Sequence, residues 1–433
     1  MKLYPYQQRV LEETKDKNRV AYYLDMGLGK TFVGTEKMKQ LNADTNLIIC
    51  QKSKITDWVE HLKKFCPHLV FNLSNKKEFE KFMNLTPHTQ KVGIINYDLI
   101  HRRLELLMIK DFTLMLDESS LIQNPYTKRT KTILKLKASN VILLSGTPTD
   151  GKYERLWTQA KILGWGITKK MYFDHYIIEE KRQTAQGIIY TQILGYKNVE
   201  RLKTKFREHG AVFMKTEEAI ELPEQTFQKV YCESSELYKK FMKNKIVEVE
   251  NKTLVGDTNL TQRLYARQLC GVYSKDKLQK FNDILESTSD RLIVFYNFTE
   301  ELDRMMEVCN KLNKPYGVVN GQEKNINAYE NYSDSITFVQ YQAGAMGLNL
   351  QKANKIIYYS LPESSALFEQ SKKRIHRVNQ KNKCLYYILI CRNSIEEKIL
   401  KALEMRKDFT DFLFKRWIIW RVKNNLKIKL KSS

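Results

Sequence analysis

Val20-Ala21-Tyr22-Tyr23-Leu24-Asp25-Met26-Gly27-Leu28-Gly29-Lys30-Thr31 is the stretch from which the fold can be read. Its first five residues are apolar or aromatic without a break, the pattern of a strand covered on both faces in a parallel sheet. A turn with Gly27 and Gly29 follows, and glycines there allow tight bending and bring backbone N–H groups close to a phosphate. Met26 and Leu28 complete that loop. Lys30 can then reach β- and γ-phosphates, and the Thr31 hydroxyl can ligate Mg²⁺. A helix starting here adds the positive end of its dipole. Leu24 stands where the usual GxxxxGK[ST] spacing has its first glycine, so the loop alone is also compatible with an ordinary turn. Its place after an apolar run favours phosphate binding.

Similar short runs recur in two sets. The first continues with Leu47–Cys50, Val92–Ile95, Leu114–Leu116 and Val141–Leu144. The second comprises Leu292–Tyr296, Tyr316–Val319, Ile336–Val339, Ile356–Tyr359 and Leu385–Ile390. Most are followed by a stretch long enough for a helix, which predicts two parallel α/β sheets with crossover helices. Ligands on such sheets bind at the carboxyl ends of the strands. The division predicted is a first lobe over 1–165, a mainly helical insertion and linker over 166–275, a second lobe over 276–408, and a basic tail over 409–433. No repeat of solenoid period interrupts it.

The chain has 433 residues, enough for two or three domains, and 42% hydrophobic residues, which excludes wholesale disorder. Lys and Arg number 73 against 49 Asp and Glu, a net charge of +24 that points to a polyanion, nucleic acid before membrane. Charge concentrates in the linker at Lys197, Arg201, Lys203, Lys205, Arg207, Lys239, Lys240, Lys243 and Lys245, where a solvated helix surface is an equal reading. Seven scattered cysteines without a CxxC read as free thiols of a reducing compartment. No apolar run approaches membrane-spanning length, and the start lacks the apolar core of a signal peptide, so a cytoplasmic protein is expected. From Lys415 onward there are basic residues and no acidic ones, compatible with an edge strand, a frayed tail or a phosphate-binding arm.

Three further stretches carry chemistry. Thr113–Leu116 runs into Asp117-Glu118, two carboxylates at the end of a buried strand, which are costly unless a cation sits with them. Mg²⁺ on Asp117, with Glu118 activating a water, supplies that cation and a use for both groups. Val141–Leu144 leads into Ser145-Gly146-Thr147-Pro148, whose hydroxyls can hydrogen-bond the carboxylate loop or merely make a turn. In Gln370-Ser371-Lys372-Lys373-Arg374-Ile375-His376-Arg377, Arg374 and Arg377 lie three residues apart. On a helix they share a face, suited to a γ-phosphoryl group or equally to DNA phosphates.

Together these motifs resemble the superfamily 2 helicase-type ATPases, and within them the Swi/Snf-related DNA translocases. Further matches are Leu3-Tyr4-Pro5-Tyr6-Gln7, Leu47–Ser53 with Trp58 and Phe65, Gln123-Asn124-Pro125, Lys128-Arg129-Thr130 and Ala343–Leu350. The match covers nearly the whole chain. The resemblance implies two tandem RecA-like lobes with a mainly helical insertion, ATP and Mg²⁺ as cofactors, and DNA as partner. Duplex DNA is favoured over single strands and RNA, and no membrane is involved. It implies Gln7 at the adenine base, Gly347 at the nucleotide, and Lys30, Asp117, Glu118, Arg374 and Arg377 in catalysis. Ser145, Thr147 and Gln370 are implied to couple the lobes, and Lys54, Asn96, Tyr97, Phe298 and Gln342 to face nucleic acid. Ser120 replaces the His of many relatives, and Leu361–Ser365 lacks their usual Asp and Trp-Asn-Pro. Absence of an obvious chromatin-reading or nuclease segment suggests a bare motor of a bacterial or phage-infected cell. The rivals are a strand-separating or RNA-directed helicase and, in another class, a non-catalytic basic nucleic-acid-binding protein.

Overall fold

The computed structural model describes residues 3–414 except 87, 150, 184–186, 188, 220, 251, 345–349 and 379. Gly347 and the basic stretch from Lys415 therefore lie outside the described residues. The strands of the first half are β1 (Arg19–Leu24), β2 (Thr45–Cys50), β3 (Leu69–Asn72), β4 (Lys91–Asn96), β5 (Phe112–Asp117) and β6 (Asn140–Leu144). Then come the hairpin β7 (Ile177–Gln183) and β8 (Ile189–Tyr196), β9 (Ala211–Met214), β10 (Gln225–Cys232), and a second hairpin, β11 (Ile246–Val249) and β12 (Lys252–Val255). The last five are β13 (Leu292–Tyr296), β14 (Tyr316–Val319), β15 (Ile336–Gln340), β16 (Lys355–Tyr358) and β17 (Cys384–Cys391).

Among the described residues, one sheet has the order β3-β4-β2-β5-β6-β1-β9 and the other β10-β17-β16-β13-β15-β14. Every pairing within these two sheets is parallel. The unbroken apolar runs follow from burial on both faces. In β1, Ala21 and Tyr23 join one core while Val20, Tyr22 and Leu24 join another across the sheet. In β13, Leu292, Val294 and Tyr296 face one core, and Ile293 and Phe295 the opposite one. Alternation of side chains along a strand makes both sets necessary.

The stretch between the two sets holds more strand than its charge suggested. β9 closes the edge of the first sheet and β10 that of the second, so the polypeptide crosses between lobes within residues 215–224. Tyr172, Tyr176, Leu202 and Phe206 pack into the first lobe's core, whereas Tyr238, Phe241 and Leu269 pack into the second's. Of the charges seen in sequence Lys203 is buried, while Lys205 pairs with Glu208 at 2.6 Å and Lys239 with Glu236 at 2.7 Å on the exposed surface of their own helices. All seven cysteines are buried and none forms a disulfide. No described helix is long and apolar enough to cross a membrane.

The second lobe is closed around a buried ion pair. Lys277 opens a helix over Lys275–Glu286, Glu396 lies at the start of the final helix Ile395–Phe414, and their charged groups meet at 2.5 Å with both side chains essentially inaccessible. Glu396 also accepts from the Cys391 amide at 2.9 Å. Burial alone would lower the Lys277 pKa, and the adjacent Glu396 carboxylate overcomes it and raises it. Removing one partner strands the other charge in the core. Glu396→Ala is therefore expected to lose about 3–5 kcal/mol in chemical denaturation, and Lys277→Met combined with Glu396→Leu to recover most of it.

Candidate active site

The loop after β1 has the shape its glycines allow. Gly27 and Gly29 have φ of +86° and +68°, in the left-handed region that side chains avoid. Gly29 caps α2 (Lys30–Leu41). A methyl group on Gly29 would lie 2.5 Å from the Gln7 amide nitrogen, because Gln7, on α1 (Pro5–Glu12), leans onto the loop and donates to Leu28 O at 3.1 Å. Met26 N donates to its neighbour Asp25 Oδ1 at 2.9 Å, and Leu28 is buried. Lys30 Nζ donates to Leu24 O at 2.9 Å and Asp25 O at 3.2 Å. Burial lowers its pKa, against the opposing pull of Glu118, Asp25 and Asp117. Thr31 follows it in the first turn of α2.

Both carboxylates at the end of β5 are held by donors. Trp58, on α3 (Ile55–Phe65), gives its indole N–H to Asp117 Oδ2 at 2.7 Å. Burial raises the Asp117 pKa, and the Trp58 hydrogen bond is the leading opposing influence. Glu118 adopts a left-handed conformation at φ 60° and ψ 61°, unusual for a side chain of its size and typical of functional turns. Its Oε1 accepts from Ser120 Oγ and from Ser145 Oγ, each at 2.6 Å. The Ser145-Gly146-Thr147 turn is thus attached to the carboxylate loop. Thr147 donates its amide to Ser145 Oγ at 3.2 Å, and a methyl on Gly146 would stand 3.2 Å from Lys30 Nζ.

The second lobe supplies α4 (Ser365–Lys372), which carries a half-buried Gln370, and the turn after it. Arg374 in that turn is buried, and burial together with the neighbouring Arg377 pushes its pKa down to about 10. Arg377 reaches the first lobe: a methyl on Gly27 would lie 3.4 Å from its Cβ. Lys373 crosses the same gap to Asp25 Oδ2 at 2.8 Å. The structure therefore brings together Gln7, the 26–31 loop, Asp117, Glu118, Ser145, Thr147 and Arg377, with Arg374 beside Arg377 in the same turn.

The residues expected to face nucleic acid divide. Lys54, Phe298 and Gln342 follow β2, β13 and β15 at the carboxyl ends of their sheets. Lys54 pairs with Asp57 at 2.7 Å, Phe298 lies under the Arg267 guanidinium at 5.4 Å, and Gln342 is exposed. Asn96 and Tyr97 are instead buried. Ser74 Oγ donates to Asn96 Oδ1 at 3.3 Å, and the Tyr97 hydroxyl donates to Asp117 O at 3.0 Å. Tyr97 thus supports the carboxylate loop from within, whereas Asn96 is engaged by the Ser74 hydroxyl. Trp58, Ser120, Asp25 and Lys373 carry contacts that sequence reasoning did not assign.

Trp58→Phe should preserve the ring packing while removing the donor to Asp117. Loss of a hydrogen bond to a charged acceptor is expected to cost about 1.5–3 kcal/mol in a denaturant titration.

The family described as SNF2-related domain matches residues 23–287, and the helicase conserved C-terminal domain matches residues 276–379. Among curated proteins, the chain is similar to the putative ATP-dependent helicase/translocase YwqA of Bacillus subtilis, at 24% identity over 91% of this chain and 46% of that protein. It is also similar to the ISWI chromatin-remodeling complex ATPase ISW1 of Saccharomyces cerevisiae, at 25% identity over 89% of this chain and 38% of that protein. The chain spans less than half the length of these relatives. A solved structure, the Sulfolobus solfataricus SWI2/SNF2 ATPase core in complex with dsDNA, is 21% identical over 95% of this chain and 92% of that one, with a TM-score of 0.44.

Proposed function

The chain belongs to the SNF2-related domain family, and from that premise we propose that it is an ATP-driven motor that translocates on duplex DNA. One observation carries the reading. The glycine loop of the first lobe and the arginine turn of the second face each other so closely that a methyl group on Gly27 would touch Arg377 Cβ at 3.4 Å.

The roles follow from the donors. Backbone N–H groups of 27–31 and the Lys30 ammonium receive the β- and γ-phosphates, and Gln7 beside the loop reads the base. Glu118 accepts the proton of the attacking water. Its Oε1 is occupied by Ser120 and Ser145, which orients Oε2 toward the water, and Ser120 takes the place of the His usual at that position. Arg374 and Arg377 neutralise charge developing on the transferring phosphoryl group. The hard oxygen donors of Thr31 and Asp117 suit Mg²⁺, and a carboxylate whose pKa burial has raised is one that gains from a cation. Bound there, Mg²⁺ supplies neutralisation of the phosphate oxygens.

Coupling rests on shared parts. The Ser145–Thr147 turn touches Glu118, so a change at the γ-phosphate is felt by the first lobe, while Gln370 and the arginines carry it to the second. Lys54 and Gln342, one on each lobe, are the leading contacts to the sugar–phosphate backbone. The net charge of +24 supports a polyanionic track read without regard to sequence. The bacterial relative supports a cytoplasmic site of action.

Steady-state ATPase assays with duplex DNA, single-stranded DNA and RNA test this directly. Duplex DNA should stimulate most; stimulation by RNA alone would overturn the DNA assignment, and no turnover with any of the three would overturn the motor. Glu118→Gln should still bind ATP while turnover falls by about 10²–10⁴-fold.

A further inference from the structure

Lys373, Arg374 and Arg377 put three positive charges on one short turn that sits partly inside the protein. Burying such a turn is unfavourable unless an anion meets it. For Lys373 that anion is Asp25, the residue between β1 and the glycine loop. Its Oδ2 lies 2.8 Å from Lys373 Nζ and accepts from Thr216 Oγ1 at 2.8 Å, while Oδ1 accepts from Met26 N at 2.9 Å. Lys373 and Asp25 side chains are 10% and 18% exposed, so this is not a surface ion pair held loosely in solvent. Burial alone would raise the Asp25 pKa; Lys373, Thr216 and the Met26 amide overcome that and hold it below the ordinary carboxylate range.

Three segments converge on this carboxylate. Asp25 belongs to the phosphate loop, Thr216 to the crossing between lobes, and Lys373 to the arginine turn. Asp25 N also donates to Met214 O at 2.9 Å, which fixes the start of that crossing. The backbone carbonyl of Asp25 meanwhile receives Lys30 Nζ at 3.2 Å. One residue thus registers the phosphate-binding lysine with its main chain and the opposite lobe with its side chain.

The turn itself is stiff. Leu350 N donates to Arg374 O at 3.3 Å, His376 Nε2 lies 2.9 Å from Pro223 O, and Gln380 Nε2 reaches Ile375 O at 3.2 Å and Ala353 O at 3.0 Å. A shift at Lys373 therefore carries Arg374 and Arg377 with it.

We propose that Asp25 and Lys373 are positioning residues, whose ion pair docks the arginine turn onto the phosphate loop and so sets where Arg374 and Arg377 meet the γ-phosphoryl group. This rests on the ATPase reading above. Both partners belong to the protein, so the contact can persist through loading and release of the nucleotide, and the arginines need no separate search for their place.

DNA-stimulated ATPase kinetics of D25N, K373M, the D25N/K373M double variant and K373R decide it. Each single neutralisation should lower kcat by about tenfold or more, the scale for truncating one side of a buried charge pair. KM for ATP should change much less, since the arginines act on the transition state. The double variant should be no slower than the worse single, and K373R should retain most of the rate. Unchanged kcat in the singles, or losses that multiply in the double variant, would overturn the proposal. So would a fall in melting temperature with kcat per folded molecule intact. Should D25N fail to fold, the K373M and K373R pair carries the same decision. A wild-type protein without nucleotide turnover would instead remove the motor reading on which the inference stands.

Discussion

Two adjacent carboxylates at the end of a strand buried on both faces cannot stand without partners, and much of the site is arranged around that requirement. Asp117 is held by an indole from the helix that follows β2, and Glu118 by two hydroxyls, one from its own turn and one from the loop after β6. Tyr97, from the end of β4, secures the main chain beneath them. Segments following three other strands of the first sheet, β2, β4 and β6, are thereby tied to one pair of acids. Whatever displaces any of those segments must also disturb the acids.

The opposite charge problem governs the second lobe. Its arginines must be brought close to each other and to the first lobe before any substrate charge can reward them, and burial depresses the pKa of both. Asp25 answers this at the interface, while Lys277 and Glu396 answer a similar problem in the interior, between the helices Lys275–Glu286 and Ile395–Phe414. In each case an ionic contact fixes how two pieces of chain are registered rather than merely adding attraction.

The central strands were legible because parallel strands covered on both faces need unbroken apolar runs, as in Val20–Leu24 and Leu292–Tyr296. Of the edges, Tyr316–Val319 was legible and β3, β9 and β10 were not. β3 and β9 are four residues long, and β10 exposes most of its side chains, so none of the three stands out from the sequence around it. At the site, the glycine loop and the acid pair could be read because local spacing is what their chemistry demands. Contacts made between distant segments left no such mark. Trp58 read only as part of a matching motif and Tyr97 as a contact to nucleic acid, yet both turn inward to Asp117, a direction that spacing along the chain does not encode. Nor does it reveal that Lys373 would find Asp25.

The burial of every thiol has a practical corollary. Maleimide reagents should find the native exterior almost blank, and buried cysteines such as Cys50 and Cys309, whose pKa burial raises, are still poorer nucleophiles. A pair of cysteines engineered one to each lobe could then carry fluorophores without first stripping the seven natural ones. Any change in the separation of the two lobes in single molecules would be visible in the otherwise unaltered protein.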